Sequence, residues 1–163
     1  MTGYEKLLKT VNKSRSLCFI LKFFCYFATF ECINVFIYLL DRFYSFSFSS
    51  FLGAIITLGV PFLIVTLVRR YVDAKRPYEI YDFFDKKPKE KQGNSFPSRH
   101  AFSIFAIGTL CIFVDFQLGI ITLILGVIMC ICRVLLGIHF IRDVFAGAII
   151  GVISSLIGAL ILI

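Results

Sequence analysis

The sequence predicts an all-α fold: a polytopic bundle of about five transmembrane helices preceded by a short N-terminal interfacial helix. Three observations lead there. Of the 163 residues 59% are hydrophobic, 20 of them Phe, and the mean hydropathy is +0.90, whereas soluble domains are about 45–50% apolar. Charged residues make up only 17%, against roughly 25% in soluble domains, and they are bunched between apolar runs. Those runs reach the roughly 20 residues that a helix needs to cross a bilayer. Disordered, collagen-like and coiled-coil chains are excluded, and residues 1–163 read as one membrane-embedded domain of a multi-pass protein of the cell membrane. A net charge of +7 in such a chain points to membrane lipids and a phosphorylated ligand as partners rather than to nucleic acid. Oligomeric state leaves no mark in the sequence.

Residues 1–16 are polar and basic, with Leu7, Leu8 and Val11 at helical spacing, as in an interfacial helix. Leu17–Leu40 is too long, and at Lys22, Glu31 and Asn34 too polar, to be the apolar region of a cleaved signal peptide; it is the first span. A loop is expected over 41–47 and a second span over 48–68, where Pro61 is a tolerated kink. Residues 71–95, with two prolines, a glycine and many of the charges, form a polar loop at one membrane face. The apolar run 101–132 would be about 48 Å long as one helix, well beyond the roughly 30 Å hydrocarbon core. Asp115 and Gln117 are the natural turn, so it divides into helices near 98–115 and 117–135. The last span covers 143–163, where Gly147, Gly151, Ser154, Ser155 and Gly158 offer a small-residue face for close helix approach.

All six cysteines lie in apolar runs, where the thiol acts as a small hydrophobe. Cys18, Cys25 and Cys32 recur every seven residues and share a helix face suited to packing. No pair has zinc-site spacing, so neither a metal nor a cofactor is expected.

Five spans place the N-terminus, the 69–100 segment and the 133–143 connection on the same side, together with 15 of the 17 basic residues. Three short segments stand out there: Arg69-x6-Arg76-Pro77, Pro97-Ser98-Arg99-His100 and Arg133-x5-His139-x3-Asp143. They contain both histidines of the chain. Arginine holds phosphate through paired N–H bonds, and Arg69, Arg76, Arg99 and Arg133 can converge. Pro97 suits a first helical turn, with Asn94 or Ser95 as a nearby cap; the following amides and the Ser98 hydroxyl would then meet an anion. His139 and Asp143, four apart, share a helix face, so the carboxylate can orient and polarise the imidazole. That pairing suits a nucleophile, while His100, from another helix, can protonate a leaving alkoxide.

These segments resemble the type 2 phosphatidic acid phosphatase family of integral membrane lipid phosphatases, whose signatures read approximately K-x6-R-P, P-S-G-H and S-R-x5-H-x3-D. The resemblance covers about residues 60–163. It implies that His139 attacks phosphorus to form a phosphohistidine, that Asp143 polarises His139, and that His100 protonates the leaving group and then activates water. It further implies that Arg69, Arg76, Ser98, Arg133 and the amide of Arg99 bind phosphoryl oxygens without metal. Three positions depart from the signatures: Arg69 stands for lysine, Arg99 for glycine and Cys132 for serine.

Singly, each residue has a plainer reading. Basic residues at helix ends anchor spans, Asp143 could cap the last helix, and Lys86, Lys87, Lys89 and Lys91 suit contact with anionic headgroups. Glu31 and Asn34 read as partners in a hydrogen bond inside the bundle. The conjunction of the three segments favours a phosphatase acting on a lipid phosphate or a polyprenyl pyrophosphate such as undecaprenyl pyrophosphate, with Arg99 and the lysines leaning toward the doubly charged head. The alternative is a non-catalytic lipid-phosphate binder or transporter using the same basic pocket. As to the side of the membrane, the lysines favour the cytoplasm and the family resemblance favours the opposite face.

Overall fold

A computed structural model describes residues 3–84 and 92–162, and all of its regular structure is helical. Seven helices follow in order: α1 (Gly3–Lys13), α2 (Arg15–Phe46), α3 (Phe48–Val72), α4 (Pro77–Ile80), α5 (Arg99–Ile112), α6 (Phe116–Leu135) and α7 (Ile141–Leu162). The lysines at 86, 87, 89 and 91 lie outside the described residues.

The N-terminal helix forms where expected, but it docks on the bundle. Leu8 and Val11 are buried while Leu7 faces outward, and Asn12 Nδ2 donates to the Leu135 carbonyl at 3.0 Å, tying α1 to the end of α6. In α2 the buried positions Leu21, Cys25, Ala28, Cys32, Val35 and Leu39 alternate in steps of four and three, a heptad-like seam. Cys25 and Cys32 therefore pack as expected, and all six thiols are free. Asn34 is on the opposite, exposed face and Glu31 is half-buried. Neither has a hydrogen-bond partner among the described residues, so the bundle-internal bond expected of them does not form.

The loop expected over 41–47 contracts to one residue. Helix α2 runs on to Phe46, and Ser47 serves as both C-cap and N-cap: its amide donates to the Phe43 carbonyl at 3.0 Å and its Oγ accepts from the Ser50 amide at 3.0 Å. A helical backbone satisfies its own polar groups near lipid, where an open loop does not; continuing the helix through Asp41 and Arg42 is the cheaper course. Helix α3 likewise extends past the expected 68 to Val72, through Pro61, ending at Asp73 in the left-handed conformation.

Four helices, α2, α3, α6 and α7, are long and apolar enough to cross a membrane. The fifth expected span is shorter than anticipated: α5 has 14 residues, about 21 Å. It is surrounded by α2, α3, α6 and α7, with nine of its residues buried, so its neighbours rather than its own length shield it from lipid. The turn before α6 forms at the expected place, with Asp115 as N-cap accepting from the Leu118 amide at 3.0 Å.

Among the described residues, α5 and α7 share the most extensive helix–helix contact. Gly147, Gly151, Ser155 and Gly158 are buried along α7, and Ser155 Oγ donates to the Ala106 carbonyl at 2.7 Å. Ser154, grouped with them by composition, turns outward and donates to the Ile150 carbonyl, because the seam advances in steps of four and three and passes through Ser155. A Cβ on Gly147 would fall 2.4 Å from the Ser98 carbonyl oxygen, so glycine here lets the two helix starts meet. Gly147→Ala is expected to destabilise the protein by about 1–3 kcal/mol, the range for overpacking. Gly59→Ala, where a Cβ meets nothing within 4 Å, should leave stability unchanged or raise it by up to about 1 kcal/mol. Thermal unfolding of both variants in detergent measures the contrast.

Candidate active site

The C-terminal ends of α3 and α6 and the N-terminal ends of α5 and α7 meet at one end of the bundle. Three hydrogen bonds lock them together. Arg69 Nη1, from the last turn of α3, reaches the Pro97 carbonyl at 3.5 Å; the Ser98 amide donates to the Asp143 carbonyl at 2.9 Å; and the Tyr78 amide donates to the Gly137 carbonyl at 3.2 Å. Gly137 has φ +69°, which glycine adopts without steric cost, and this turn delivers His139 to the interior.

The described segments on either side of residues 85–91, 73–84 and 92–98, are joined by carboxylates. Glu79 accepts from the Arg76 amide at 2.7 Å and from the Gly93 amide at 2.8 Å. Asp73 accepts from the Asn94 amide at 3.0 Å, and the Ser95 amide donates to the Ala74 carbonyl at 2.8 Å. Arg76 Nε donates to the Gly93 carbonyl at 3.1 Å, with its guanidinium 5.7 Å from the Tyr78 ring centroid.

Arg69, Arg76, Ser98, His139 and Asp143 are all buried. Arg69 lies within electrostatic reach of Arg76, Arg99, Arg133 and Asp143, so the four arginines do converge. Pro97 precedes the cap instead of opening the helix: Ser98 is the N-cap, its Oγ accepting from the Ala101 amide at 3.5 Å, and neither Asn94 nor Ser95 caps α5. The Ser98 amide is committed to Asp143, which leaves the amides of Arg99 and His100 as the first-turn donors without a partner among the described residues. Those orphan donors and the helix dipole favour an anion.

His139 lies in the turn before α7 instead of on one helix face with Asp143, and its Nδ1 is 3.7 Å from Asp143 Oδ2, beyond a hydrogen bond. Between them stands Ser95, completely buried: its Oγ makes a short hydrogen bond to Asp143 Oδ2 and lies 3.3 Å from His139 Nδ1. Asp143 Oδ2 also accepts from the Phe140 amide at 3.0 Å, the reach-back half of a capping box; capping and imidazole orientation are thus served by one carboxylate. Arg142 Nε, on an exposed side chain, is 3.5 Å from Oδ1.

Next to this cluster is a cavity of about 550 Å³ between α2, α3 and α5. Apolar side chains such as Phe36, Leu58, Phe62 and Met129 line it, with Arg99 and His100 at the α5 start. The Arg99 guanidinium lies 5.9 Å from the Phe62 ring centroid. A hydrocarbon chain fits such a space, with its polar end toward the arginines.

Three comparisons with known proteins bear on this arrangement. Residues 50–162 match the model of the PAP2 superfamily. The chain belongs to that superfamily. It is also similar to the bacitracin transport permease protein BcrC of Bacillus licheniformis, 35% identical over 81 residues. That match spans 50% of this chain and 40% of the relative's own length. The crystal structure of LpxE from Aquifex aeolicus superposes with a TM-score of 0.70 over 94% of this chain and 92% of that one, at 22% identity. The PAP2 chain thus shares its fold with that protein nearly end to end, as a multi-pass membrane protein.

The segment spacings pointed to the arginines, both histidines and Asp143, and missed Ser95 and Glu79. Both owe their roles to tertiary contacts of segments 73–84 and 92–98, which no local spacing announces.

Burial lowers the pKa of His139 to about 4; the charges of Arg133, Arg76 and Arg69 add to this and Asp143 acts in the opposite direction. The unfolded chain therefore binds this proton more readily than the folded one between the ordinary value of 6.5 and about 4, and linkage makes stability fall with pH across that window. An NMR titration of the two histidine rings is expected to find His139 neutral down to about pH 4. Replacing it with Gln should flatten the stability profile between pH 6.5 and 4.

Proposed function

We propose that this chain is a membrane phosphatase that hydrolyses a lipid phosphate or a polyprenyl pyrophosphate through a phosphohistidine intermediate. The observation that carries this reading is a buried imidazole with a buried carboxylate behind it, beside a group of arginines and an apolar cavity. A phosphoryl group fits the arginines and the orphan amides of α5; its lipid tail fits the cavity.

In the proposed reaction His139 Nε2 attacks phosphorus, a P–N bond forms, and the bond from phosphorus to the leaving oxygen breaks with its electron pair going to that oxygen. His100, held as the imidazolium by the phosphoryl dianion bound beside it, supplies the proton to the leaving oxygen and becomes neutral, releasing an alcohol, or a lipid monophosphate when the substrate is a pyrophosphate. Water, giving a proton to His100, then attacks the phosphohistidine and returns His139 with release of inorganic phosphate. Arg69, Arg76, Ser98, Arg133 and the Arg99 amide bind the equatorial oxygens and stabilise the charge that grows on them in the transition state. In this reading Arg99, at the cavity's polar end, meets the second phosphate of a pyrophosphate. The two histidines and Asp143 account for each proton and bond without a metal ion.

The name of the Bacillus relative favours a second reading, a transporter or non-catalytic binder of a phosphorylated lipid. A carboxylate behind an uncharged imidazole distinguishes the two, because anion binding alone gains nothing from a neutral histidine with an orienting acid. Phosphate release from short-chain lipid phosphates and pyrophosphates, in detergent with a chelator present, tests the choice. Wild-type release that His139→Ala reduces to background is expected. Binding of these lipids with no release from any of them supports the transporter.

A further inference from the structure

We infer that Ser95 is the positioning residue that links Asp143 to His139 and sets which imidazole nitrogen is the nucleophile. This rests on the phosphohistidine reading and adds a group that none of the three segments contains.

The argument follows from hydrogen-bond inventory. An ionised carboxylate only accepts, so in the short contact between Ser95 Oγ and Asp143 Oδ2 the serine must donate its one proton. Its remaining capacity toward His139 Nδ1, 3.3 Å away, is as an acceptor. Nδ1 must then carry the hydrogen, and in a neutral ring Nε2 is left with its lone pair. The direct route from the carboxylate to Nδ1 is 3.7 Å, too long for a hydrogen bond. Ser95 therefore completes a chain from carboxylate to imidazole, with the hydroxyl polarised by the charge behind it.

The position is enclosed: Ser95 has no exposed surface. Its amide is tied to the Ala74 carbonyl at 2.8 Å, just after α3, while the neighbouring Asn94 amide is held by Asp73. The serine is thus fixed by the same loop that carries Arg76, and the loop that binds the phosphoryl group also orients the nucleophile. When Nε2 is phosphorylated the ring gains positive charge, Nδ1–H becomes a stronger donor, and the Ser95–Asp143 pair stabilises it without moving.

The test uses the whole protein in detergent micelles with 15N-labelled histidine. The wild-type ring of His139, assigned by comparison with a His100→Asn variant, is expected as the Nδ1–H tautomer at pH 7. Ser95→Ala should shift it to a mixture or to Nε2–H. The same variant should lose roughly ten- to a hundredfold in kcat, the size of one hydrogen bond to a charged group, with KM within about twofold, and Ser95→Cys should fall between the two. A wild-type ring in the Nε2–H form overturns the proposal without any variant, which keeps the test open if Ser95→Ala does not fold. An unchanged tautomer in Ser95→Ala overturns it too. If the tautomer follows Ser95 but the wild type releases no phosphate, the linkage stands and the phosphatase reading fails.

Discussion

The Asp143 carboxylate, with no exposure to solvent, is the group on which the rest of the site depends. A buried ion without partners is costly by several kcal/mol, so the chain must bring donors to it from several places. Ser95 and the Phe140 amide meet Oδ2, the Arg142 side chain approaches Oδ1, and the backbone carbonyl of the same residue receives the Ser98 amide. One residue thereby fastens the start of α7 to the start of α5 and to the polar loop. The glycine seam of α7 lets those helix starts come close enough for this, and α1, through Asn12 and Leu135, secures the end of α6 from which the His139 turn departs.

The same burial separates two kinds of chemistry. The arginines sit at the polar end, where Arg69 and Arg76 meet backbone carbonyls and Arg99 lies over the Phe62 ring. The apolar cavity begins directly beyond Arg99 and His100 and extends between helices that lipid surrounds. On the proposed function, a lipid whose phosphate binds the arginines keeps its tail in an environment like the one it leaves, so the gain on binding comes mainly from the phosphate. Excluding water from this cluster also strengthens each charge–charge contact within it, and burial lowers the pKa of His139 to about 4.

Much of this was legible in the sequence. Hydropathy gave the spans and their order, and the spacings of Arg69, Arg76, Arg133, His139 and Asp143 located the cluster, because residues at helix ends are fixed in space once the spans are fixed. What was not legible depended on tertiary context. The 41–47 loop vanished because a continuous helix leaves fewer unsatisfied backbone groups than a loop. Helix α5 is short because its neighbours cover it, a property of the assembled bundle. Asn34 and Ser154 face outward because their faces are set by packing partners, and polarity alone carries no direction. Ser95 looked like a possible cap; only the return of the polar loop over α7 places it between a carboxylate and an imidazole.

The central claim is that His139 is phosphorylated during turnover. Rapid quenching of the protein with a lipid phosphate under alkaline, denaturing conditions, followed by mass analysis of the peptide carrying His139, examines it directly. One phosphoryl group on that histidine, formed at least as fast as inorganic phosphate is released, is the result the account predicts. Phosphate release by an active protein with His139 unmodified at every time point, or with the phosphoryl group on another residue, would contradict it.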